Sequence, residues 1–243
     1  MRVLALETTT AHGSLAWLEP GRPAAVCDLE AGRYSTQLFA AMEALARQAG
    51  HPLADVGGFA VASGPGSFTG VRIGLTAVKG LAEVWRKPAV AVSTLAAVAV
   101  AAQAAGADPR PMAAALDAAR GEVYFRLVAG AGAADGGQEP GEEIASDQIE
   151  SLEAFCRRLA GQPALRLATP HPALAAACAA RLGPALEART ILVPPRLAPA
   201  VASAAAAALA ALSASASDSA LRLDANYVRR SDAEIFAAPP ARA

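Results

Sequence analysis

Residues 58 to 80 read GFAVASGPGSFTGVRIGLTAVKG, and any functional statement about the chain turns on this segment. An apolar, β-rich run ends at Ser63, a glycine and proline loop follows, and an apolar-periodic helix begins near Ser67 or Thr69. Such a loop acts through its backbone. Gly64 and Gly66 allow angles closed to other residues, Pro65 stiffens the turn, and Ser67 and Thr69 carry oxygens that can cap the first helical amides. Free amides at a helix start, here with Gly70 one residue on, favour an anion or a partner's carboxylate. The same glycines suit a tight strand-to-helix connection that binds nothing, and both readings stay open. Standard nucleotide loops are excluded: glycines at 64, 66 and 70 miss the G-x-G-x-x-G spacing, and no G-x4-G-K-[ST] string occurs.

Other catalytic constellations are missing. His12, His51 and His171 form no pair one helical turn apart that could clamp a metal, so no metal site is expected. No G-x-S-x-G elbow exists, and Ser67, the nearest candidate nucleophile, has no base in reach by sequence, which leaves it a cap. Asp117, Arg120, Glu122 and Tyr124 in LDAARGEVYF read as a salt-bridged β-turn. Near the end, DANYVRR sets Tyr227 beside Arg229 and Arg230 and reads as a docked tail.

The elements that must hold these residues follow from periodicity. Val3 to Leu6 and Ser14 to Leu18 form a hairpin bending near residues 11 to 13, and Val26 to Glu30 supplies a third strand. Residues 34 to 49 place Leu38, Met42, Leu45 and Ala49 on one helical face ending at Gly50. A strand at 59 to 63, the helix to Trp85, a strand at 89 to 92 and a helix capped by Ser93 or Thr94 complete a first lobe, 1–107. The second lobe, 108–243, repeats β-type pieces at 112–116 and 123–128. A surface loop at 130–143 follows, then helices near 151–160, 172–181 and 198–213, strands at 164–168 and 190–193, and a flexible link at 214–220. This order predicts an open α/β architecture in two lobes.

A formal net charge of −1 gives no global field for nucleic acid, so any RNA is expected on a partner. Three cysteines without a C-x-x-C pair, and no leader before the first strand, predict a reduced, cytoplasmic chain. The alanine-rich run at 89–102 is too short and interrupted to span a bilayer, and no membrane helix is expected. Gly70, Gly74 and Ala77 or Val78 make a small-residue strip along the helix of residues 69 to 85 that would admit another helix. Core burial explains the same pattern.

Taken together, LALETTT near the start, GPGSFTGVRIG with the KG pair at 79 and 80, the LDAARGEVY turn and the terminal YVR resemble the TsaB family, dimerization subunits of the bacterial tRNA adenosine threonylcarbamoyltransferase system. The resemblance implies a two-lobed actin-like ATPase fold (ASKHA, ribonuclease H-like) and a non-catalytic role. Such a subunit pairs with TsaD through first-lobe helices, TsaE joins, and the product is N6-threonylcarbamoyladenosine in tRNAs reading codons that begin with adenine. It further implies no cofactor for the chain alone, with ATP or ADP left to the complex interface, contact with tRNA only through the partner, and a homodimer through the same helices when the partner is absent. Leu38, Met42, Leu45, Phe68, Arg72, Gly74, Leu75 and Lys79 are the expected partner interface. Glu7 and Thr9 stand where actin-like ATPases face phosphate and magnesium, with Glu7 one methylene longer than the common aspartate. The helix carrying an H-x-x-x-H metal motif in TsaD-like proteins has Tyr34 to Leu38 here. A protease reading fails for want of a zinc site or serine dyad. The rival from another class is a small-molecule kinase or ATPase of this fold, using Glu7, Thr9 and the 64 to 70 loop on phosphates.

Overall fold

Alternation of large and small apolar residues along the central strands of the first sheet decides which helices each of its faces receives. The computed structural model describes residues 1–21, 24–106, 108–130, 146–212 and 220–228. The expected loop at 130–143, nearly all of the link at 214–220, Arg229 and Arg230 lie outside them, apart from Gly130 and Ala220. In chain order the elements are β1 (Val3–Glu7), β2 (Gly13–Leu18), β3 (Ala25–Leu29), α1 (Tyr34–Ala49), β4 (Gly58–Ala62), α2 (Phe68–Trp85), β5 (Ala89–Val92) and α3 (Thr94–Ala104). There follow β6 (Met112–Asp117), β7 (Glu122–Val128), β8 (Gln148–Ser151), α4 (Leu152–Gly161), β9 (Arg166–Thr169), α5 (Pro172–Leu182), α6 (Pro184–Glu187), β10 (Thr190–Leu192) and α7 (Ala198–Ala211).

The first sheet has the order β3-β2-β1-β4-β5. Its first three strands form an antiparallel meander with Glu7 opposite Ser14, and β1, β4 and β5 run parallel. Successive side chains point to opposite faces. Leu4, Leu6, Leu15, Trp17, Phe59 and Val61 therefore meet α1 and α2 on one side. On the other side Val3, Ala5, Ala16, Ala60 and Ala62 meet Ala198, Val201, Ala202, Ala205 and Leu209 of α7. Alanine facing alanine lets α7 lie close on the sheet.

The second sheet, β10-β9-β6-β7-β8, repeats the order of the first, with an antiparallel meander β6 to β8 and parallel β6, β9 and β10. One face packs on α4 and α5 through Phe125, Phe155, Leu159, Leu167 and Leu174. The other receives Leu95, Val98 and Ala102 of α3, the helix that follows the last strand of the first sheet. The two lobes thus exchange helices: α3 reaches the second sheet, α7 returns to the first, and the two pack together.

The expected division at 107/108 follows chain order, and the packing crosses it. Residues 198–211 are continuous in sequence with the second lobe but belong to the first lobe's core. Strand β8 escaped sequence reading because its four residues, QIES, carry one large apolar side chain and sit at a sheet edge. Among the described residues no helix is long and apolar enough to cross a membrane.

Candidate functional site

The first hairpin turn and the glycine loop close on each other. Glu7, at the end of β1, is fully buried. Its Oε1 accepts from the Thr9 amide at 2.5 Å, the Thr9 hydroxyl at 2.6 Å and the Thr10 amide at 2.9 Å, while Oε2 accepts from the Thr10 hydroxyl at 2.8 Å. Burial holds this carboxyl above the usual carboxylate range, although the four hydrogen bonds pull the other way. All four of these hydrogen bonds come from the residues of its own turn. Thr9 Oγ1 pairs with Thr94 Oγ1 at 2.9 Å, and the Thr9 carbonyl accepts from the Ser67 amide at 2.7 Å.

Three glycines exist because of this contact. A β-carbon on Gly66 would overlap the Thr9 carbonyl, and one on Gly70 the Thr8 carbonyl; on Gly74 it would stand 2.6 Å from Thr8 Oγ1. Gly64, at φ 105°, faces the Asn226 carbonyl, where a β-carbon would stand 2.8 Å away. Ser67 is the N-cap of α2, its Oγ accepting from the Gly70 amide at 3.2 Å; Thr69 lies exposed inside the first turn and does not cap. Of the expected anion contacts, Glu7, Thr9, Gly64, Gly66, Ser67 and Gly70 are brought together, but by packing against one another. Tyr34 likewise braces the turn: its hydroxyl donates to the Thr10 carbonyl at 2.7 Å and accepts from the Gly13 amide at 3.2 Å.

Beyond the loop lies an open cleft of about 990 Å³ between the lobes. Thr10, Ser67 and Arg72 border it from the first lobe, Asp117, Arg120 and His171 from the second. Asp117 Oδ1 accepts from the Ala119 amide at 2.8 Å, and the Glu122 amide donates to the Ala119 carbonyl at 3.0 Å, which shapes the turn between β6 and β7. His171 Nδ1 accepts from the Asp117 amide at 3.0 Å, so its neutral form carries the proton on Nε2, and burial pushes its pKa down. Of the other two histidines, His51 stacks on Trp17 and lies 3.2 Å from Glu19 Oε2, and His12 is exposed in the hairpin bend. Among the described residues no group of three or more His, Cys, Asp or Glu gathers as a metal site.

The α1–α2 surface departs from the expected interface. Leu38, Met42, Leu45, Gly74 and Leu75 are buried in the chain's own core, because the face that periodicity marks as apolar is the face turned to the sheet. Phe68, Arg72 and Lys79 are exposed. The outward apolar residues missed by sequence are Phe39, 59% exposed, and Val84, 76% exposed. They flank a groove of about 780 Å³ whose floor includes Leu38, Ile73 and Leu81. Gly80 lines it too, and a β-carbon there would meet nothing within 4 Å. The signal was available: Arg72, Thr76, Gly80 and Val84 are neighbours four residues apart on α2, and all four line the groove.

A residue outside every sequence expectation joins the lobes. Asp147, with 2% of its side chain exposed, accepts from Arg126 Nε at 2.6 Å and Ser93 Oγ at 2.5 Å, and also from Asn226 Nδ2. Ser93 at the same time caps α3 through the amides of Leu95 and Ala96.

Residues 28–235 match the family described as TsaD: tRNA N6-adenosine threonylcarbamoyltransferase. The chain is 36% identical over 125 residues to the tRNA threonylcarbamoyladenosine biosynthesis protein TsaB of Escherichia coli (strain K12), a match spanning 51% of this chain and about half, 54%, of that protein. To the TsaB protein of Haemophilus influenzae it is 32% identical over 171 residues, covering 70% of this chain and 72% of that one. A crystal structure described as an uncharacterized protein with similarity to peptidase YEAZ from Pseudomonas aeruginosa superposes with a TM-score of 0.61 at 28% identity, over 94% of this chain and 99% of that one. With two equivalent α/β sheets and the TsaD domain type, the chain belongs to the TsaB family of tRNA threonylcarbamoyladenosine biosynthesis proteins and carries its actin-like fold.

Proposed function

We propose that this chain is a non-catalytic docking subunit that binds and activates a TsaD-type catalytic subunit for N6-threonylcarbamoyladenosine formation in tRNA reading codons that start with adenine. One observation carries the reading: the open α1–α2 groove, walled by the exposed side chains of Phe39 and Val84 and lined by Gly80. A glycine inside a helix costs roughly 0.5 to 1 kcal/mol relative to alanine. Gly70 and Gly74 recover that cost by packing on Thr8, whereas Gly80 recovers nothing inside this chain and suits the close approach of a partner helix. The inward use of Glu7 supports a role without chemistry in this lobe.

On this reading the chain needs no cofactor alone, and ATP or ADP belongs to the interface with the partner. TsaE joins the pair, tRNA is met through the partner, the setting is the cytoplasm, and the same helices form a homodimer when the partner is missing. Phe39→Glu and Val84→Glu change side chains that the fold leaves largely in water. Both variants should stay folded and lose the complex with the TsaD-type subunit in gel filtration. An intact complex overturns the reading.

A second reading is favoured by the cleft: an ATPase or small-molecule kinase would place phosphates among Ser67, Arg72 and Arg120. Calorimetry of the isolated chain with ATP and magnesium separates the two, turnover with tight binding selecting the enzyme.

A further inference from the structure

The terminal YVR string finds no use in a docking face made of α1 and α2 alone, yet its tyrosine lies at the end of that face. Tyr227 stacks on Phe68 with ring centres 5.0 Å apart and planes inclined by 30°. The Arg72 guanidinium lies over the Phe68 ring at 3.9 Å from its centre, and Arg72 Nε reaches the Tyr227 hydroxyl at 3.3 Å. Both aromatic rings stay in contact with water: Phe68 is 41% exposed and Tyr227 46%. Phe68 and Tyr227 border the interlobe cleft, and Arg72, which borders both that cleft and the α1–α2 groove, joins the stack to the groove. From Phe68 to Val84 α2 rises about 24 Å, and Tyr227 packs on its N-terminal residue.

The segment carrying Tyr227 is held on both sides. Leu223 is buried in the core of the first lobe, and Val228 packs against the core between α3 and the second sheet. Between them the Asn226 amide donates to the Ser63 carbonyl at 2.8 Å, and its side chain bonds Asp147. Tyr227 is therefore presented in a fixed position before any partner arrives, which lowers the ordering cost of binding. Tyr and Arg are among the residues that dominate binding energy in protein interfaces, and Phe is enriched at their cores.

We propose that the segment from Leu223 to Val228 is a third element of the docking face, with Tyr227 its anchor, and that its occupant is the partner subunit whose helices take the α1–α2 groove. The proposal rests on the docking reading above and adds a contact made by the C-terminal segment. The partner overruns the groove at the N-terminal end of α2 and packs on the exposed edges of Phe68 and Tyr227.

The test measures affinity of the full-length chain for the TsaD-type subunit. Tyr227→Ala should weaken binding by about 10- to 100-fold, and Tyr227→Phe, which keeps the stack and loses only an exposed hydrogen bond, by less than about 3-fold. Tyr227→Ala should leave the thermal midpoint of the isolated chain within about 2 °C, because the ring is half in water. A photoreactive benzoylphenylalanine at position 227 gives a readout independent of folding and should crosslink to the partner. If Val84→Glu breaks the complex while Tyr227→Ala binds as tightly as the parent and position 227 captures nothing, the C-terminal segment is no part of the face and the docking reading stands. If Val84→Glu leaves binding intact, the docking reading falls and this inference falls with it.

Discussion

Thr8 and Gly70 hold the first hairpin against α2: Thr8 Oγ1 donates to the Gly70 carbonyl at 2.7 Å, and the Thr8 carbonyl fills the space that a β-carbon on Gly70 would need. The same residue meets Gly74 one turn later through Oγ1. Glycine in this helix therefore has two meanings, one facing inward on Thr8 and one facing outward at Gly80.

Those meanings separate by mutation. Gly74→Val forces atoms into Thr8 and Val61 and should destabilise the isolated chain by about 2 to 4 kcal/mol in urea denaturation. Gly80→Ala should raise its stability by roughly 0.5 to 1 kcal/mol, since it adds helix propensity and touches nothing. Gly80→Leu should keep the fold and lose the partner. A loss of stability at Gly80→Ala would show that the position serves the chain's own packing.

Glu7 makes a prediction about pH. Its carboxyl is raised above 4.5 in the folded chain by burial, so between 4.5 and its folded value the native state binds more protons than the unfolded one. The stability it contributes is full below pH 4.5 and falls as pH rises through the folded value. Glu7→Gln removes this titration and keeps the acceptor for Thr9 and the Thr10 amide, with the Thr10 hydroxyl turning to accept. The variant should show a flatter stability profile above pH 4.5 in denaturant titrations and should retain partner binding. An unchanged profile would remove Glu7 as its source.

Asp147 should matter to the lobes as a unit. Asp147→Ala leaves Arg126, which is largely buried, without its carboxylate and releases Ser93 and Asn226, a loss expected to cost about 3 to 5 kcal/mol. Hydrogen exchange should speed up together at residues 63–67, 93–96 and 223–228, which share no sequence neighbourhood. Acceleration confined to β8 would mean that the carboxylate does not tie these segments together.

Hairpin, helices and their order were legible because apolar residues recur at two or near 3.6 positions, and because Gly50 and Ser67 mark a helix end and a helix start. The strings at 4–10 and 64–74 carried the family. Periodicity says which face of α1 or α2 is apolar, and that face was the one to be buried; it does not say what covers it, so Leu38, Met42 and Leu45 read as an interface while serving as core. Gly74 and Gly80 are alike in sequence but stand about 120° apart around the helix, and only the position of Thr8 tells them apart. Likewise α7 left its own lobe because an alanine face needs an alanine-lined sheet, and the first sheet supplies one. Asp147, Arg126, Ser93 and Asn226 come from four distant stretches of chain. Sequence determined the elements and the family; the tertiary structure decided which small and polar residues are spent inside, because contacts between segments far apart along the chain exist only once both sheets have formed and exchanged their helices.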